Sequence, residues 1–198
     1  MMAGLCLTVV GCGQQAHIPS NAESPEQAHG PGVTADQAQR QEVATRWAAG
    51  YCTAVGELVQ TLSTMPTVDP AGPEAAVRTS GELLSVMIGG VERTIAELGR
   101  LGPAPGSSGD AVRHGVSENL TRIRERAVAA KEKLDDVDPH SDDGLEAIGA
   151  VRLPLDELGS LKLLDGFDSE LGTATRRAPS CIDLATATHD GAPVEVPR

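Results

Sequence analysis

The chain has 198 residues and a formal net charge of −12, from 28 acidic against 16 basic side chains. An acidic surface repels phosphate backbones and anionic headgroups, which argues against nucleic acid as a partner and against a basic membrane-binding patch. Hydrophobic residues make up 40% of the chain but aromatic ones only 2%, which favours an aliphatic core of helices packed on helices.

The first twelve residues have the pattern of an export signal. Residues 1–10 are apolar or small and uncharged, and Val9-Val10-Gly11 stands directly before Cys12. This order resembles the lipobox of a bacterial lipoprotein signal peptide. The resemblance implies removal of residues 1–11, a diacylglyceryl thioether on Cys12, and a place on the extracytoplasmic face of the cell membrane.

The leader lacks the basic n-region that signal peptides normally carry. No Lys or Arg precedes Arg40, which predicts that the true translation start lies upstream of Met1. The alternative is an apolar N-terminal segment of a cytosolic protein. The apolar run is too short for a transmembrane helix, which needs about 20 residues.

Residues 12–33 are predicted to form the lipidated cysteine and a flexible tether. The segment is rich in Gln, Ser, Pro and Gly, and its few apolar residues show no period. Such a segment buries too little surface to offset the entropy of ordering. Its two histidines, His17 and His29, are interpreted as solvated residues rather than metal ligands.

Residues 34–185 are predicted to form the helical domain. Apolar side chains recur every three or four positions over residues 34–65, 73–99 and 108–137, and Gly- and Pro-rich turns separate these segments. The first segment opens on Thr34 with Gln37 three residues later, the spacing of a capping box.

The last helical segment, residues 141–178, is interrupted at Pro154, since proline removes a helix hydrogen bond. Two arrangements fit: one kinked helix, or a short helix to Leu153 and a longer one from Pro154, which we favour. Pro179 is expected to end it, and residues 186–198 to form a loose tail. Four amphipathic segments predict an all-α, up-down-up-down four-helix bundle with a kinked or broken last helix, preceded by the disordered tether.

Two cysteines remain once Cys6 leaves with the leader and Cys12 carries lipid. In an oxidising envelope compartment the isolated pair Cys52 and Cys181 is typical of a disulfide; the alternative is two buried free thiols. Cys52 lies well inside the first helix, whereas Cys181 follows the last one. A bridge therefore requires either that helix one projects beyond the bundle or that the chain after residue 180 folds back along it.

Short motifs around these cysteines carry a further resemblance. They are Trp47-x-x-x-Tyr51-Cys52-x-Ala54-Val55-Gly56 and Ala178-Pro179-x-Cys181-x-x-Leu184. Together they resemble small actinobacterial envelope lipoproteins of unassigned function, over roughly residues 40 to 185. The resemblance implies an envelope location and a helical fold, and it implies no activity.

Known catalytic motifs are absent from the sequence, which has no G-x-S-x-G elbow, P-loop, dinucleotide fingerprint or H-E-x-x-H. The nearest candidate site is an acidic turn in which Asp138, His140 and Asp142 could ligate a cation such as Ca²⁺. The spacing of an EF-hand fails, because Gly149 or Ala147 stands where the bidentate glutamate belongs. We therefore interpret the turn as a cap for the next helix.

These observations predict a non-catalytic binding or interaction protein, held at the membrane by a lipid anchor and without a cofactor. The expected partner is an envelope protein or another envelope component. The alternative is a small-molecule or lipid carrier with a pocket between helices. An enzyme, whose acid and base groups converge only in three dimensions, ranks third.

Overall fold

The computed structural model describes residues 33–190 and, within them, the side chains of residues 33–187. This part of the chain is helical and contains no strand. Its helices are α1 Ala35–Ser63, α2 Pro73–Arg100, α3 Ser107–Asp136, α4 Asp142–Ala150, α5 Arg152–Gly159, α6 Ser169–Thr175 and α7 Pro179–Asp190. The predicted all-α class is confirmed. The leader, Cys12 and nearly all of the predicted tether lie outside the described residues.

The ends of the long helices follow from local chemistry. The Thr34 hydroxyl accepts a hydrogen bond from the Gln37 N–H (3.2 Å), and the Gln37 side chain accepts one from the Thr34 N–H (2.9 Å). This is the predicted capping box, and it satisfies two N–H groups that would otherwise lack partners. Helix α2 begins at Pro73, where the fixed φ of proline suits a first turn.

Helices α1 and α2 pack antiparallel. The indole Nε1 of Trp47, near the start of α1, donates to the carbonyl of Gly102, just past the end of α2 (3.0 Å). Further along α1, the Ala54 carbonyl lies 3.4 Å from the hydroxyl of Thr94, which lies further back in α2. Helix α3 follows a short loop, residues 101–106, and packs against α2.

The core between these helices is aliphatic, as the composition predicted. Its largest fully buried side chains include Leu58, Leu84, Met87, Leu98, Leu120, Leu134 and Leu171. Burial of each such side chain stabilises the fold by about 1.5–3 kcal/mol relative to leaving it exposed.

The three aromatic residues of the chain form one cluster. Trp47 stacks on Tyr51 with ring centroids 5.7 Å apart, and Phe167 meets Tyr51 edge-on at 5.3 Å. The Tyr51 hydroxyl donates to the Leu163 carbonyl (2.7 Å), which fastens the segment between α5 and α6 to α1. Burial raises the pKa of Tyr51 well above its usual value, because the phenolate would be poorly solvated there.

Gly109 marks a close approach at the start of α3. A Cβ atom at this position would lie 2.5 Å from the Cβ of Ala104 and 2.7 Å from Cδ1 of Leu171. The absence of a side chain therefore lets the first turn of α3 pack directly on the loop before it and on α6.

The predicted fourth segment, residues 141–178, contains three short helices, α4 to α6, instead of one or two, and α7 follows it. Helix α4 ends at Ala150 and α5 begins at Arg152, so the predicted break lies two residues before Pro154. The expected longer helix after the break was wrong, because α5 ends at Gly159. Pro154 lies in the first turn of α5, where backbone N–H groups have no partner within the helix, so the missing N–H of proline costs no helix hydrogen bond. The helix stops again over residues 160–168, where Gly166 adopts φ of 92°.

The short helices lie in two places. Helix α4 packs against α2 and α3, and α5 packs against α3, whereas α6 and α7 pack against α1. The last predicted segment does end before Pro179, but Pro179 then begins a further helix, α7, because proline suits the first helical position. Helix α7 continues to Asp190, so the predicted boundary between domain and tail at residue 185 falls inside a helix.

Candidate functional site

The cysteine pair that the sequence singled out is brought together. Cys52 in α1 and Cys181 in α7 lie at disulfide distance, with S–S 2.04 Å and Cα–Cα 5.0 Å. Both side chains are buried, with 0% and 2% of their surface exposed. Of the two arrangements that could allow the bridge, the structure has the second, because the chain after residue 180 folds back along α1.

Polar contacts hold α7 and the turn before it in this position. The Ser180 hydroxyl donates to the Ala49 carbonyl (2.9 Å), and the Arg177 guanidinium donates to Oε1 of Gln41 (2.8 Å). Ala178, between these two residues, is fully buried. The bridge is therefore one part of a continuous contact between α1 and the end of the helical body.

The candidate metal ligands are not brought together as a site. Nε2 of His140 lies 2.6 Å from Oε1 of Glu74, and the Asp138 carboxylate accepts the backbone N–H of His140 (3.0 Å). A backbone hydrogen bond, and after it His140, lowers the pKa of Glu74. Within residues 33–187, no group of three or more His, Cys, Asp or Glu side chains is placed to hold a metal ion. Asp142 is therefore not part of a metal site with Asp138 and His140.

The acidic turn instead acts as the predicted cap. The Ser141 hydroxyl accepts the N–H of Gly144 at the start of α4 (3.0 Å) and donates to the Asp138 carbonyl (2.7 Å). The contact between His140 and Glu74 then links this turn to the first turn of α2. The turn therefore joins two helix starts.

A polar groove lies between the first turns of α1 and helix α6. We call it the α1–α6 groove; its volume is about 370 Å³. The small, buried side chains of Ala44 and Ala174 leave room for it. Its polar lining includes Gln37, Arg40, Gln41, Glu170, Thr173 and Arg177. A second groove of about 460 Å³ shares Arg40 and Glu170 with it and extends toward the loop after α2.

The charged side chains of the α1–α6 groove form no ion pairs with one another. Arg177 bonds the neutral side chain of Gln41, and no ion pair or hydrogen bond joins the Arg40 guanidinium to another of the described residues. Glu170 lines the same groove and forms no ion pair with either arginine. The groove therefore offers two guanidinium groups and one carboxylate to a ligand.

No protein-family model, curated protein or solved structure matches this chain. Function must therefore be inferred from its own residues and geometry. Within the described part of the chain, no helix is both long and apolar enough to cross a membrane.

The sequence did not reveal the α1–α6 groove. Arg177 and Gln41 are 136 positions apart, and only the folding of α6 against α1 brings them together. The nearest local signal is Thr34 with Gln37, which placed the start of α1 correctly but gave no indication of what packs on its second and third turns.

Proposed function

We propose that this protein is a lipid-anchored binding protein of the cell envelope. Its anchor would be a diacylglyceryl group on Cys12, and it would act on the extracytoplasmic face without catalysing a reaction. Its partner would be an envelope protein or another envelope component.

The observation that carries this proposal is the buried Cys52–Cys181 pair at disulfide distance. Disulfides form and persist mainly in oxidising, extracytoplasmic compartments, so the pair supports export of the domain. Export in turn supports the assignment of the lipobox-like stretch before Cys12 as part of a signal peptide. The four cysteines of the chain then all have a role, since Cys6 leaves with the leader.

The proposed fold is an up-down-up-down bundle in which α4 to α7 together replace a fourth long helix. The antiparallel packing of α1 and α2 supports this arrangement, as does the short loop between α2 and α3. Because the fourth part of the bundle is divided into short helices, α7 can pack beside α1, where the cysteine pair forms.

The α1–α6 groove is the surface that we assign to binding. Its volume of about 370 Å³ lies within the range of small-molecule sites, about 300–1,000 Å³. It is open to solvent and charged, features that favour recognition of a polar group over the carriage of a lipid, which needs an enclosed apolar chamber. The carrier hypothesis therefore ranks second.

The anchor is tested by metabolic labelling with a palmitate analogue in the native host, using the chain with its complete leader. The wild-type protein should carry the label and sediment with membranes, and Cys12→Ala should lose both properties. Cys6→Ala is the matched control and should keep them. Label retained by Cys12→Ala, or absent from the wild type, would contradict the proposal.

A further inference from the structure

The two arginines of the α1–α6 groove lack the carboxylate partners that most arginines of the helical body have. Those that form ion pairs are Arg46, Arg78, Arg100, Arg113, Arg124, Arg126 and Arg152. Acidic residues are not scarce, because the chain has 28 acids against 16 bases. Arg40 and Arg177 therefore remain available to an anion from outside the chain.

Other arginines bond only neutral side chains, but they do not converge on a groove. Arg93 bonds Thr61, Arg122 bonds Asn119 and Arg176 bonds Thr173. None of the three lines either groove at the start of α1. Arg40 and Arg177 differ from them because both line one groove, Arg40 from α1 and Arg177 from the turn that follows α6.

Guanidinium groups favour planar anions. Each presents five N–H donors in a fixed fork that matches the two oxygens of a carboxylate. The single bond from Nη1 of Arg177 to Gln41 orients that group and leaves its other N–H donors for a ligand. Two such groups at the edge of a small groove suit a ligand with a free carboxylate.

Glu170 narrows the ligand class further. It lines the same groove, and no contact with Arg40 or Arg177 neutralises it. A phosphate monoester has no cationic group to pair with this carboxylate, whereas a zwitterion offers it an ammonium group. The charges of the groove, two positive and one negative, thus match a ligand that carries both a carboxylate and a cationic group.

We propose that the α1–α6 groove binds the free carboxylate of an amino acid or short peptide between Arg40 and Arg177, with the ligand's ammonium group directed to Glu170. This inference rests on the proposed binding function and names its ligand class. The side chains of Ala44 and Ala174 leave the space that the ligand occupies.

The test is isothermal titration calorimetry with the full mature protein in a non-ionic detergent. The probes are L-alanyl-L-alanine, its C-terminal amide, its N-acetyl derivative and inorganic phosphate. We expect L-alanyl-L-alanine to bind in the millimolar range or tighter, and the amide to bind about tenfold more weakly or not at all. Absence of binding by L-alanyl-L-alanine, or equal binding by the amide or phosphate, would overturn the proposal.

Variants distinguish binding in the α1–α6 groove from a general effect of the protein's charge on dipeptide binding. Arg40→Gln and Arg177→Gln should each weaken L-alanyl-L-alanine binding about tenfold, because a charge-assisted hydrogen bond is lost. Arg93→Gln removes the same charge elsewhere and should leave binding unchanged. Glu170→Gln should weaken binding of the free dipeptide and not of its N-acetyl derivative. Equal loss in the Arg93→Gln control would overturn the assignment.

Three further measurements keep the outcomes interpretable. Circular dichroism establishes that each variant is folded. Arg40→Lys keeps the positive charge but loses the paired N–H donors of the guanidinium, so it should bind L-alanyl-L-alanine more weakly than the wild type. The lipid state of Cys12 is measured on the same preparations. A lipidated protein that fails to bind the dipeptide contradicts only the ligand class, whereas an unmodified Cys12 contradicts the proposed anchor.

Discussion

Removal of the Cys52–Cys181 bridge is expected to cost a large part of the stability of the helical domain. The two residues are 129 positions apart, and closing a loop of this length restricts the unfolded chain by roughly 5 kcal/mol in the chain-entropy model. Measured effects of disulfides are more often about 2–4 kcal/mol. Because domains are stable by only about 5–15 kcal/mol, the loss should be large on either figure.

The assay is urea unfolding followed by circular dichroism on the oxidised protein and on Cys52→Ala/Cys181→Ala. Both positions are buried, so alanine introduces no buried polar group there. The double variant should unfold at lower urea with a larger m-value, because its unfolded chain exposes more surface. Reducing agent should destabilise only the wild type. A loss below about 1 kcal/mol with an unchanged m-value would refute a covalent bridge across this loop.

Three further predictions follow from the packing. Gly109→Ala should lower the free energy of unfolding by about 1–3 kcal/mol, because the new methyl group overpacks the contact with Ala104 and Leu171. Gly115→Ala, in the same helix, places its methyl group in open space and should raise the free energy of unfolding by about 0.5–1 kcal/mol. Urea titrations of both variants measure the difference. Tyr51 is the sole tyrosine, so tyrosinate absorbance should appear only on alkaline unfolding. Its raised folded-state pKa contributes stability below about pH 10 that is lost as the pH rises; reversible ionisation of the folded protein near pH 10 would contradict the burial. Ca²⁺ should leave the melting temperature unchanged, because the described residues include no group of three or more side chains placed to hold a metal ion; a rise would restore the metal hypothesis.

The long helices were predictable because their signals are local. The capping box at Thr34, the proline at Pro73 and apolar side chains every three or four residues placed α1, α2 and α3 within about two residues of their ends. These signals need no knowledge of the tertiary fold, since each acts within one or two turns.

The short helices were not predictable in the same way. Helices of 7 to 12 residues are marginal alone, and tertiary contacts decide where they begin. Asp168, for example, caps α6 and also accepts a hydrogen bond from the Ser108 hydroxyl, 60 positions away. Pro179 shows a second ambiguity, because proline is common both after one helix and in the first turn of another.

The candidate sites also differ in whether local signals or tertiary contacts determine them. The cysteine count and the expectation of an oxidising compartment were enough to predict the pair of Cys52 and Cys181, but not to show that α7 folds back along α1 to allow it. The α1–α6 groove depends on residues of α1 and α6 that meet only in the folded chain, so no local pattern could indicate it. The acidic turn, by contrast, was correctly interpreted as a cap at Ser141.

The proposed export and lipid anchor can be tested by mass spectrometry of the mature N-terminus from the native host. We expect an N-terminal peptide that begins at Cys12 and carries a diacylglyceryl thioether. An unmodified peptide that spans Gly11 and Cys12 in the membrane-associated protein would contradict it.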